Sequence, residues 1–269
     1  QKQVDSPIKK FALKNNLPVL QPASVNTQEF IGSLLVNRPD YIIVVAFGQI
    51  LSEVFLKIPK QFCINLHSSL LPKYRGAAPI NRAILNGDNR SGVTTMIMDK
   101  GMDTGDILLV DETPIELSDD AQSLHDKLSE QGGKLVLETL FRLKKNDLFP
   151  TSQNSDLASY APKLKKEESL IDWEMDAEHI FNKVRGLSPW PGTHTLYNGK
   201  RLAILKSEIV SGESSDRPGH IERITDTGIE VGTGKNRLKI IELKPEGKKA
   251  MPVKSFLSGY KINRDDKLE

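Results

Sequence analysis

The chain has 269 residues, of which 38% are hydrophobic and 27% charged, and its formal net charge is +2. These fractions are typical of a soluble globular protein of one large or two ordinary domains, and so small a net charge does not by itself predict a polyanionic partner. The longest apolar run, residues 41–47, is far shorter than the roughly 18 residues that span a bilayer, so we expect no membrane partner.

The first elements in chain order are two helices and a strand. Ser6-Pro7 predicts a helix start, with Ile8, Phe11 and Ala12 facing a core. Residues 17–20 are a candidate strand. Asn26 with Glu29 resembles a capping box that opens a helix ending before Pro39. Residues 41–46 are continuously apolar, which predicts a parallel strand buried on both faces.

Strands and helices continue to alternate as far as residue 146, which predicts a three-layer α/β domain over residues 1–146. The expected strands are residues 62–67, 93–98 and 106–112. The expected helices are residues 52–57, 78–85 and 119–145, the last in one or two pieces with a break near Gly132-Gly133.

The composition changes after residue 146. Residues 147–165 are polar and predict a linker, and residues 166–269 predict a small β-rich domain, a partly open, OB-like barrel. Asn198-Gly199 is a strong type I′ hairpin signal between strands 193–197 and 201–210. Further strands are expected at 220–224, 229–231 and 237–243, with helices at 177–185 and after Pro252.

Two groups of polar residues follow predicted strands. Asn65 and His67 point to one face at the end of the strand 62–67, where ligands bind in open α/β sheets. Asp103 lies in a glycine-containing loop, residues 99–106, between two strands. Each pattern alone is common in loops and strand ends, but together the three side chains make a usable acid–base set.

Three segments, residues 65–72, 75–79 and 99–106, together resemble the signature of the 10-formyltetrahydrofolate-dependent formyltransferase family. The resemblance implies a Rossmann-like catalytic domain, 10-formyltetrahydrofolate as formyl donor and an amine as acceptor. It places Asn65, His67 and Asp103 on the catalytic positions.

That chemistry suits these residues. As an amine attacks the formyl carbon, negative charge develops on the formyl oxygen, and Asn65 and protonated His67 are candidate donors to it. Asp103 is placed to keep His67 charged and to relay protons. No metal and no covalent intermediate are required.

The same resemblance implies folate contacts in three places. After the strand 41–46 they are Ala46, Phe47, Gly48, Gln49, Ile50 and Leu51. After Asn65 and His67 they are Ser68, Ser69, Leu70, Leu71 and Pro72. In the loop of Asp103 they are Asp99, Gly101 and Asp106.

The acceptor is indicated by the second domain. Residues 160–168, 171–173, 185–191 and 245–251 resemble the branch of the family that formylates methionine on initiator methionyl-tRNA for translation initiation. Other branches act on glycinamide ribonucleotide or an amino-sugar nucleotide, or feed a dehydrogenase domain. A tRNA-binding protein without activity is a further alternative, against which the intact Asn65, His67 and Asp103 argue.

Basic residues cluster at the linker and in the second domain. Lys163, Lys165 and Lys166 lie at the linker, and seven basic residues, among them Lys248 and Lys249, stand against two acidic ones between Lys235 and Lys254. A basic stripe fits phosphate contacts, so these five lysines are the candidate tRNA ligands. Standing alone, they also fit an ordinary solvated face. Trp173 and Trp190 are expected to pack the second domain.

The remaining expectations concern the natural protein. Members of the family ordinarily begin with two strands, a helix and a loop that reaches the tRNA; the resemblance implies that the printed chain lacks all but the tail of this loop, around residues 1–6. We expect a monomer. The single cysteine, Cys63, fits a reducing compartment and a buried, non-nucleophilic side chain, and nothing resembles a signal or transit peptide, which points to a bacterial cytoplasm.

Overall fold

The computed structural model describes residues 5–212 and 217–269. Contacts between residues divide the chain into two compact units, residues 1–64 and residues 65–269. Most of the expected loop tail at residues 1–6 lies outside the described residues. The first unit contains α1 (Pro7–Lys14), α2 (Gln28–Asn37), β1 (Tyr41–Val45), α3 (Glu53–Leu56) and the start of β2 (Phe62–His67).

Side-chain caps open the helices of this unit. The Ser6 hydroxyl accepts the Lys9 N–H at 3.2 Å, which confirms the predicted start of α1. The cap of α2 is Thr27, not Asn26, so the predicted capping box is wrong. Asn26 instead ties down a neighbouring loop: its side-chain amide donates to the Ile50 carbonyl at 2.8 Å and its oxygen accepts the Ser52 N–H at 2.9 Å.

Two further expectations for the first unit are wrong. Ile8 and Phe11 are 76% and 64% exposed, because helical spacing reveals an apolar stripe but not whether a partner covers it. Residues 17–20 form no strand. Pro18 has no backbone N–H to give to a ladder, and both flanking leucines, Leu17 and Leu20, are exposed.

Strand β1 is confirmed in position but not in burial. Its first four residues are half-buried and Val45 is exposed, whereas a strand covered on both faces was predicted. β1 has β2 as its neighbour and ends the order of its sheet. A continuous apolar run therefore identified the strand but not how much of it is covered.

Strand β2 passes from the first unit into the second between Ile64 and Asn65. The α/β part of the second unit also contains β3 (Arg75–Gly76), α4 (Pro79–Leu85), β4 (Arg90–Ile97), β5 (Ile107–Pro114) and α5 (Ala121–Lys144). The strands β4 and β5 pair antiparallel, with Val93 opposite Asp111. The core of this part includes Ile84, Val93, Leu124 and Leu128, all at most 1% exposed.

Helix α5 is one continuous element of 24 residues, so the predicted break at Gly132-Gly133 is absent. Gly132 has a packing role instead. A Cβ built there would lie 2.5 Å from the Leu66 side chain, which means that only glycine lets the helix approach β2 so closely.

The predicted linker is held in place by hydrogen bonds. Two 3-10 turns, Ser155–Leu157 and Lys166–Ser169, flank β6 (Tyr160–Ala161). β6 pairs parallel with β3, with Arg75 opposite Tyr160 and Gly76 opposite Ala161. Residues from beyond α5 thus support the segment that follows β2.

The rest of the second unit is β-rich, as predicted. It contains α6 (Ala177–Gly186), β7 (Thr193–Tyr197), β8 (Lys200–Val210), β9 (Ile221–Thr225), β10 (Gly228–Gly232), β11 (Arg237–Pro245), β12 (Met251–Pro252) and α7 (Val253–Gly259). The strand order is β7-β8-β11-β10-β9, with β12 against β11. Asn198 and Gly199 both have positive φ, 52° and 71°, which confirms the predicted hairpin turn.

The two tryptophans differ. Trp173 is buried in the core of the β-rich part and its indole N–H donates to Thr195 at 3.0 Å. Trp190 is 51% exposed, so the expectation that it packs the domain is wrong for this residue. It lies within the turn that follows α6, between Pro189 and Pro191.

Candidate active site

The end of β2 presents two polar side chains on one face. His67 is 6% exposed, and Asn65 is half-buried. The side-chain amide of Asn65 makes no hydrogen bond to any residue in 5–212 or 217–269. A half-buried amide without a protein partner at a strand end is suited to donate to a bound substrate.

His67 has a partner on each side of its ring. Its Nε2 lies 2.9 Å from the carbonyl oxygen of Tyr74. Its Nδ1 lies 3.7 Å from Oδ2 of Asp103. The second distance is too long for a hydrogen bond, so the carboxylate lies beside the ring without bonding to it. The structure therefore brings the predicted pair His67 and Asp103 together.

The Asp103 carboxylate is itself held by the backbone. Asp103 has φ of 54°, a left-handed conformation that is uncommon outside glycine. The N–H of Gly76 donates to its Oδ2 at 2.8 Å. One carboxylate oxygen thus faces His67 and is oriented by the backbone of the segment that follows β2.

Gly76 is required at that position for two reasons. Its φ is 116°, a backbone conformation that residues with a side chain rarely adopt. A Cβ there would lie 2.6 Å from the Tyr160 ring and 2.8 Å from the Ala161 carbonyl oxygen. The pairing of β3 with β6 therefore leaves room for hydrogen alone, and this close fit places the N–H that orients Asp103.

Asp99 and Thr104 shape the loop that carries Asp103. Oδ1 of Asp99 accepts the Gly101 N–H at 2.9 Å and the Thr104 hydroxyl at 2.8 Å. The Ile97 N–H donates to the Asp106 carbonyl at 2.8 Å. Asp99, Gly101 and Asp106 are in the loop of Asp103, as expected, and their contact with folate stays a prediction.

Gln153 is a site residue that sequence reasoning missed. Its amide N–H groups donate to the carbonyls of Asp103 and Gly105 at 2.9 and 2.7 Å. Its oxygen accepts two N–H groups of the Arg75 guanidinium, at 3.0 and 2.8 Å. It belongs to the polar stretch predicted as a linker, and nothing in that stretch signals a contact 50 residues back.

Tyr74 was also missed. Its phenol donates to Asp88 at 2.8 Å and accepts from the Asn86 amide at 3.0 Å, while its carbonyl faces His67. Burial raises the pKa of Tyr74 to about 12, and the adjacent Asp88 adds to the shift. The phenol stays protonated at any physiological pH.

The remaining predicted folate residues of the second unit differ in exposure. Ser68, Leu70 and Pro72 are half-buried. Ser69 and Leu71 are buried, and both are engaged within the protein: the Ser69 hydroxyl donates to the Lys73 carbonyl at 2.6 Å, and the Leu71 N–H to Thr94 at 3.3 Å. Their folate contacts stay predictions.

The other predicted folate segment, residues 46–51, follows β1 in the first unit. The Gln49 side chain accepts the Val25 N–H at 3.2 Å and donates to the Ala23 carbonyl at 3.3 Å. Phe47 and Ile50 are 45% and 90% exposed, whereas Leu51 is buried. Ala46, the first residue of this segment, has φ of 46°. These six residues also stay predicted folate contacts.

Cys63 is buried at 2% exposure. Burial raises the pKa of its thiol to about 11, so it remains protonated and is not a nucleophile at physiological pH. This agrees with its predicted role as a small buried residue.

The five candidate tRNA ligands are exposed lysines. Lys163, Lys165, Lys166, Lys248 and Lys249 all reach solvent, and none makes an ion pair with a carboxylate in the described ranges. Some basic side chains of the stripe between 235 and 254 are already paired with carboxylates. Arg237, Lys239 and Lys254 pair with acidic side chains of neighbouring strands and turns.

Within the described residues there is no helix both long and apolar enough to cross a membrane. The same residues contain no group of three or more histidine, cysteine, aspartate or glutamate side chains that could hold a metal ion.

Comparison with known families shows which family the chain belongs to. The sequence model described as Formyl transferase matches residues 1–140, and the one described as Formyl transferase, C-terminal domain, matches residues 163–261. The chain belongs to the formyl transferase family. The predicted family and enzyme class are therefore confirmed, and with them the fold class of a catalytic α/β domain followed by a β-rich domain.

Individual relatives are also formyltransferases. This formyl transferase is 49% identical over 262 residues to the methionyl-tRNA formyltransferase of Citrifermentans bemidjiense, covering 97% of this chain and 82% of the relative. Among solved structures, the methionyl-tRNA formyltransferase from Clostridium thermocellum has a TM-score of 0.56 at 22% identity, over 76% of this chain and 88% of that one.

The N-formyltransferase from Helicobacter canadensis, solved in complex with folinic acid and dTDP-3-aminofucose, has a TM-score of 0.66 at 22% identity. The match covers 88% of this chain and 84% of that one. At this level of identity the two structures show that this formyl transferase shares their fold.

Proposed function

We propose that this formyl transferase moves the formyl group of 10-formyltetrahydrofolate to the α-amino group of methionine on initiator methionyl-tRNA, for translation initiation. The observation that carries the proposal is the placement of Asn65 and His67 at the end of β2, with Asp103 beside His67, in a chain 49% identical to a methionyl-tRNA formyltransferase. The three residues are the proposed catalytic set.

The donor is proposed to be a folate carrying a formyl group on nitrogen, which supplies an electrophilic carbon. The chain offers suitable groups, because the Asn65 amide has no partner among the described residues and Nδ1 of His67 is not engaged in a hydrogen bond. The Helicobacter canadensis relative was solved with folinic acid, also a folate. The proposed folate contacts are the fourteen residues named from the sequence, in residues 46–51, 68–72 and 99–106.

Each catalytic side chain has a separate part. Asn65 donates to the formyl oxygen, on which negative charge develops, and one such donor is typically worth about 3 kcal/mol of transition-state stabilisation. His67 holds and moves a proton between the attacking amine and the departing nitrogen. Asp103 stabilises the charged ring. No step needs a metal.

The acceptor is proposed to be methionyl-tRNA because relatives 48% and 49% identical to this chain are named methionyl-tRNA formyltransferase. The proposed phosphate ligands are Lys163, Lys165, Lys166, Lys248 and Lys249, since they are exposed and none makes an ion pair with a carboxylate in the described ranges.

The organisation of the protein is part of the proposal. The catalytic domain comprises residues 1–146 and the tRNA-binding domain residues 166–269, joined through 147–165; the family-model matches at 1–140 and 163–261 support these bounds. We propose a monomer that works in the bacterial cytoplasm, which suits a chain with one buried, unpaired cysteine.

One set of assays tests the function. The purified protein is incubated with 10-formyltetrahydrofolate and, in parallel, with methionyl-tRNA, glycinamide ribonucleotide and an amino-sugar nucleotide. Formylation of methionyl-tRNA alone supports the proposal, and a preference for either nucleotide substrate overturns it. Binding of methionyl-tRNA without any formyl transfer would instead indicate the non-catalytic alternative.

A further inference from the structure

We propose that Tyr74 is a positioning residue whose backbone carbonyl selects the tautomer of His67, so that Nδ1 is the ring nitrogen that exchanges protons during catalysis. The catalytic part of this statement rests on the proposed function. The tautomer itself is a property of the chain and can be measured without any substrate.

The assignment begins with the bond between Nε2 of His67 and the Tyr74 carbonyl, 2.9 Å long. A carbonyl oxygen can only accept, so Nε2 must carry the hydrogen. In the neutral ring the other nitrogen, Nδ1, then has the lone pair. In the charged ring both nitrogens carry hydrogen, and only the proton on Nδ1 can leave without breaking the bond to Tyr74.

The surroundings of Nδ1 leave it available. Its nearest acidic oxygen, Oδ2 of Asp103, is 3.7 Å away, and that oxygen already accepts the Gly76 N–H at 2.8 Å. Nδ1 therefore lies beside a negative charge without being engaged by it, which suits a nitrogen that must take up and release a proton.

The carbonyl of Tyr74 is held in place because the surroundings fix the strained backbone of this residue. Its φ is 60°, a left-handed conformation that is a genuine outlier for a bulky residue. Such a conformation persists only where the surroundings fix it from several sides. Its side chain is 7% exposed, its phenol bonds to Asp88 and Asn86 at 2.8 and 3.0 Å, and its N–H bonds to the Ser159 hydroxyl at 2.9 Å.

The same short segment orients both halves of the catalytic pair. The carbonyl of Tyr74 holds His67, and the N–H of Gly76, two residues later, holds Asp103. A rotation of the backbone at Tyr74 would therefore move the imidazole and the carboxylate together. The phenol is bonded at both its donor and its acceptor site, which fits a role in fixing the backbone of Tyr74.

The first test is magnetic resonance of the full chain labelled with carbon-13 and nitrogen-15 in histidine, with His67 assigned by its loss in His67→Gln. We expect the neutral ring of His67 to show the Nε2–H tautomer. An Nδ1–H tautomer in the unsubstituted protein overturns the proposal. Activity does not enter this measurement, so its failure is distinct from a failure of the proposed function.

The second test uses Tyr74→Phe, which removes both phenol hydrogen bonds and keeps the ring. We expect a mixed tautomer at His67 and a kcat about 10-fold to 100-fold lower, since small displacements in a site cost that much, with KM for both substrates changed less than about threefold. Tyr197→Phe is the matched control, because Tyr197 also donates to a carboxylate, Asp266 at 2.7 Å, but in the β-rich part.

Ser159→Ala repeats the test with the phenol intact, because it removes only the partner of the Tyr74 N–H. It serves if Tyr74→Phe does not fold. A reduced kcat with a disturbed tautomer in either folded variant supports the proposal. An unchanged tautomer and a kcat within about twofold of the unsubstituted protein in both variants overturn it.

Discussion

Nδ1 of His67 lies 3.7 Å from Oδ2 of Asp103, and both side chains are oriented by the backbone of one segment, residues 74–76. The pair is separated by 36 positions in sequence, and its geometry depends on bonds that neither residue makes to the other. We therefore expect substitutions of His67 or Asp103 to act differently from substitutions of the residues that orient them.

The catalytic pair itself can be tested by removal. We expect His67→Ala and Asp103→Ala to lower kcat by at least about 10²-fold, because each removes a group that acts on the transition state. Equilibrium binding of 10-formyltetrahydrofolate should change by less than about threefold. Asp111→Asn, at an exposed carboxylate on β5, is the control. Near-normal turnover in either variant would show that the pair is not catalytic.

Gln153 offers a test of indirect support. Gln153→Ala frees the Asp103 and Gly105 carbonyls and the Arg75 guanidinium at once, so we expect kcat to fall about 10-fold through displacement of Asp103. Steady-state kinetics measure this. Gln131→Ala, which removes one long bond of 3.4 Å to the Glu112 carbonyl, should leave kcat unchanged. Equal effects of the two substitutions would contradict a specific role for Gln153.

Gly76→Ala should affect stability as well as activity. The added methyl group meets the Tyr160 ring and the Ala161 carbonyl and forces φ of 116° on alanine, so we expect the free energy of unfolding to fall by about 2–4 kcal/mol. Gly247→Ala, where φ is 69° and no atom lies within 4 Å of the new Cβ, separates backbone strain from the clash. Chemical denaturation of both variants checks this; similar losses would exclude the clash as the cause.

Glu168 gives a pH-dependent stability. Two hydrogen bonds from Arg82, at 2.6 and 3.0 Å, hold the pKa of this carboxyl below its usual 4.5, although burial opposes the shift. A pKa that is lower in the folded state stabilises the protein above about pH 4.5, and this stability is lost as the pH falls through the folded-state pKa.

The unfolding free energy of Glu168→Gln should therefore lie below that of the unsubstituted protein at neutral pH, and the difference should shrink on acidification. Glu167→Gln, at an exposed neighbour, is the control. A difference that is constant from pH 7 to pH 3, measured by urea unfolding, would contradict the stabilisation by Arg82.

The lysines of the turn between β11 and β12 should contribute to tRNA affinity. We expect Lys248→Gln with Lys249→Gln to weaken binding of methionyl-tRNA and to reduce the slope of log K against log salt by about 1–2, as for the loss of one or two phosphate contacts. Lys254→Gln, whose ammonium already pairs with Asp226 at 3.9 Å, is the matched control. An unchanged slope in the double variant would refute the contacts.

Local patterns predicted much of the fold. The cap at Ser6, the strand that carries Asn65 and His67 and the turn at Asn198-Gly199 depend on a few adjacent residues, and each was confirmed. The errors have a common cause in tertiary packing. Gly132 allows α5 to approach Leu66 instead of ending the helix, and Ile8 and Phe11 lie on an apolar stripe without a covering partner among the described residues.

Only part of the candidate site could likewise be predicted from the sequence. His67 and Asp103 were predicted as neighbours, and they are. Tyr74, Gly76 and Gln153 were not identified, because their roles rest on backbone carbonyls, a backbone N–H and a side-chain amide that bridges distant loops. Such roles leave no chemical signature in a sequence, since any residue has a carbonyl and glutamine is common in loops.

The pairing of β3 with β6 has a consequence for engineering by domain exchange. The strand that buttresses Gly76 and the amide that spans Arg75 and Asp103 both come from residues 153–161, which lie between the two family-model matches. A chimera joined at residue 146 would import these supports from the donor of the β-rich half. Modular exchange of the halves thus requires a junction after Ala161, so that the scaffold of the catalytic pair is inherited intact.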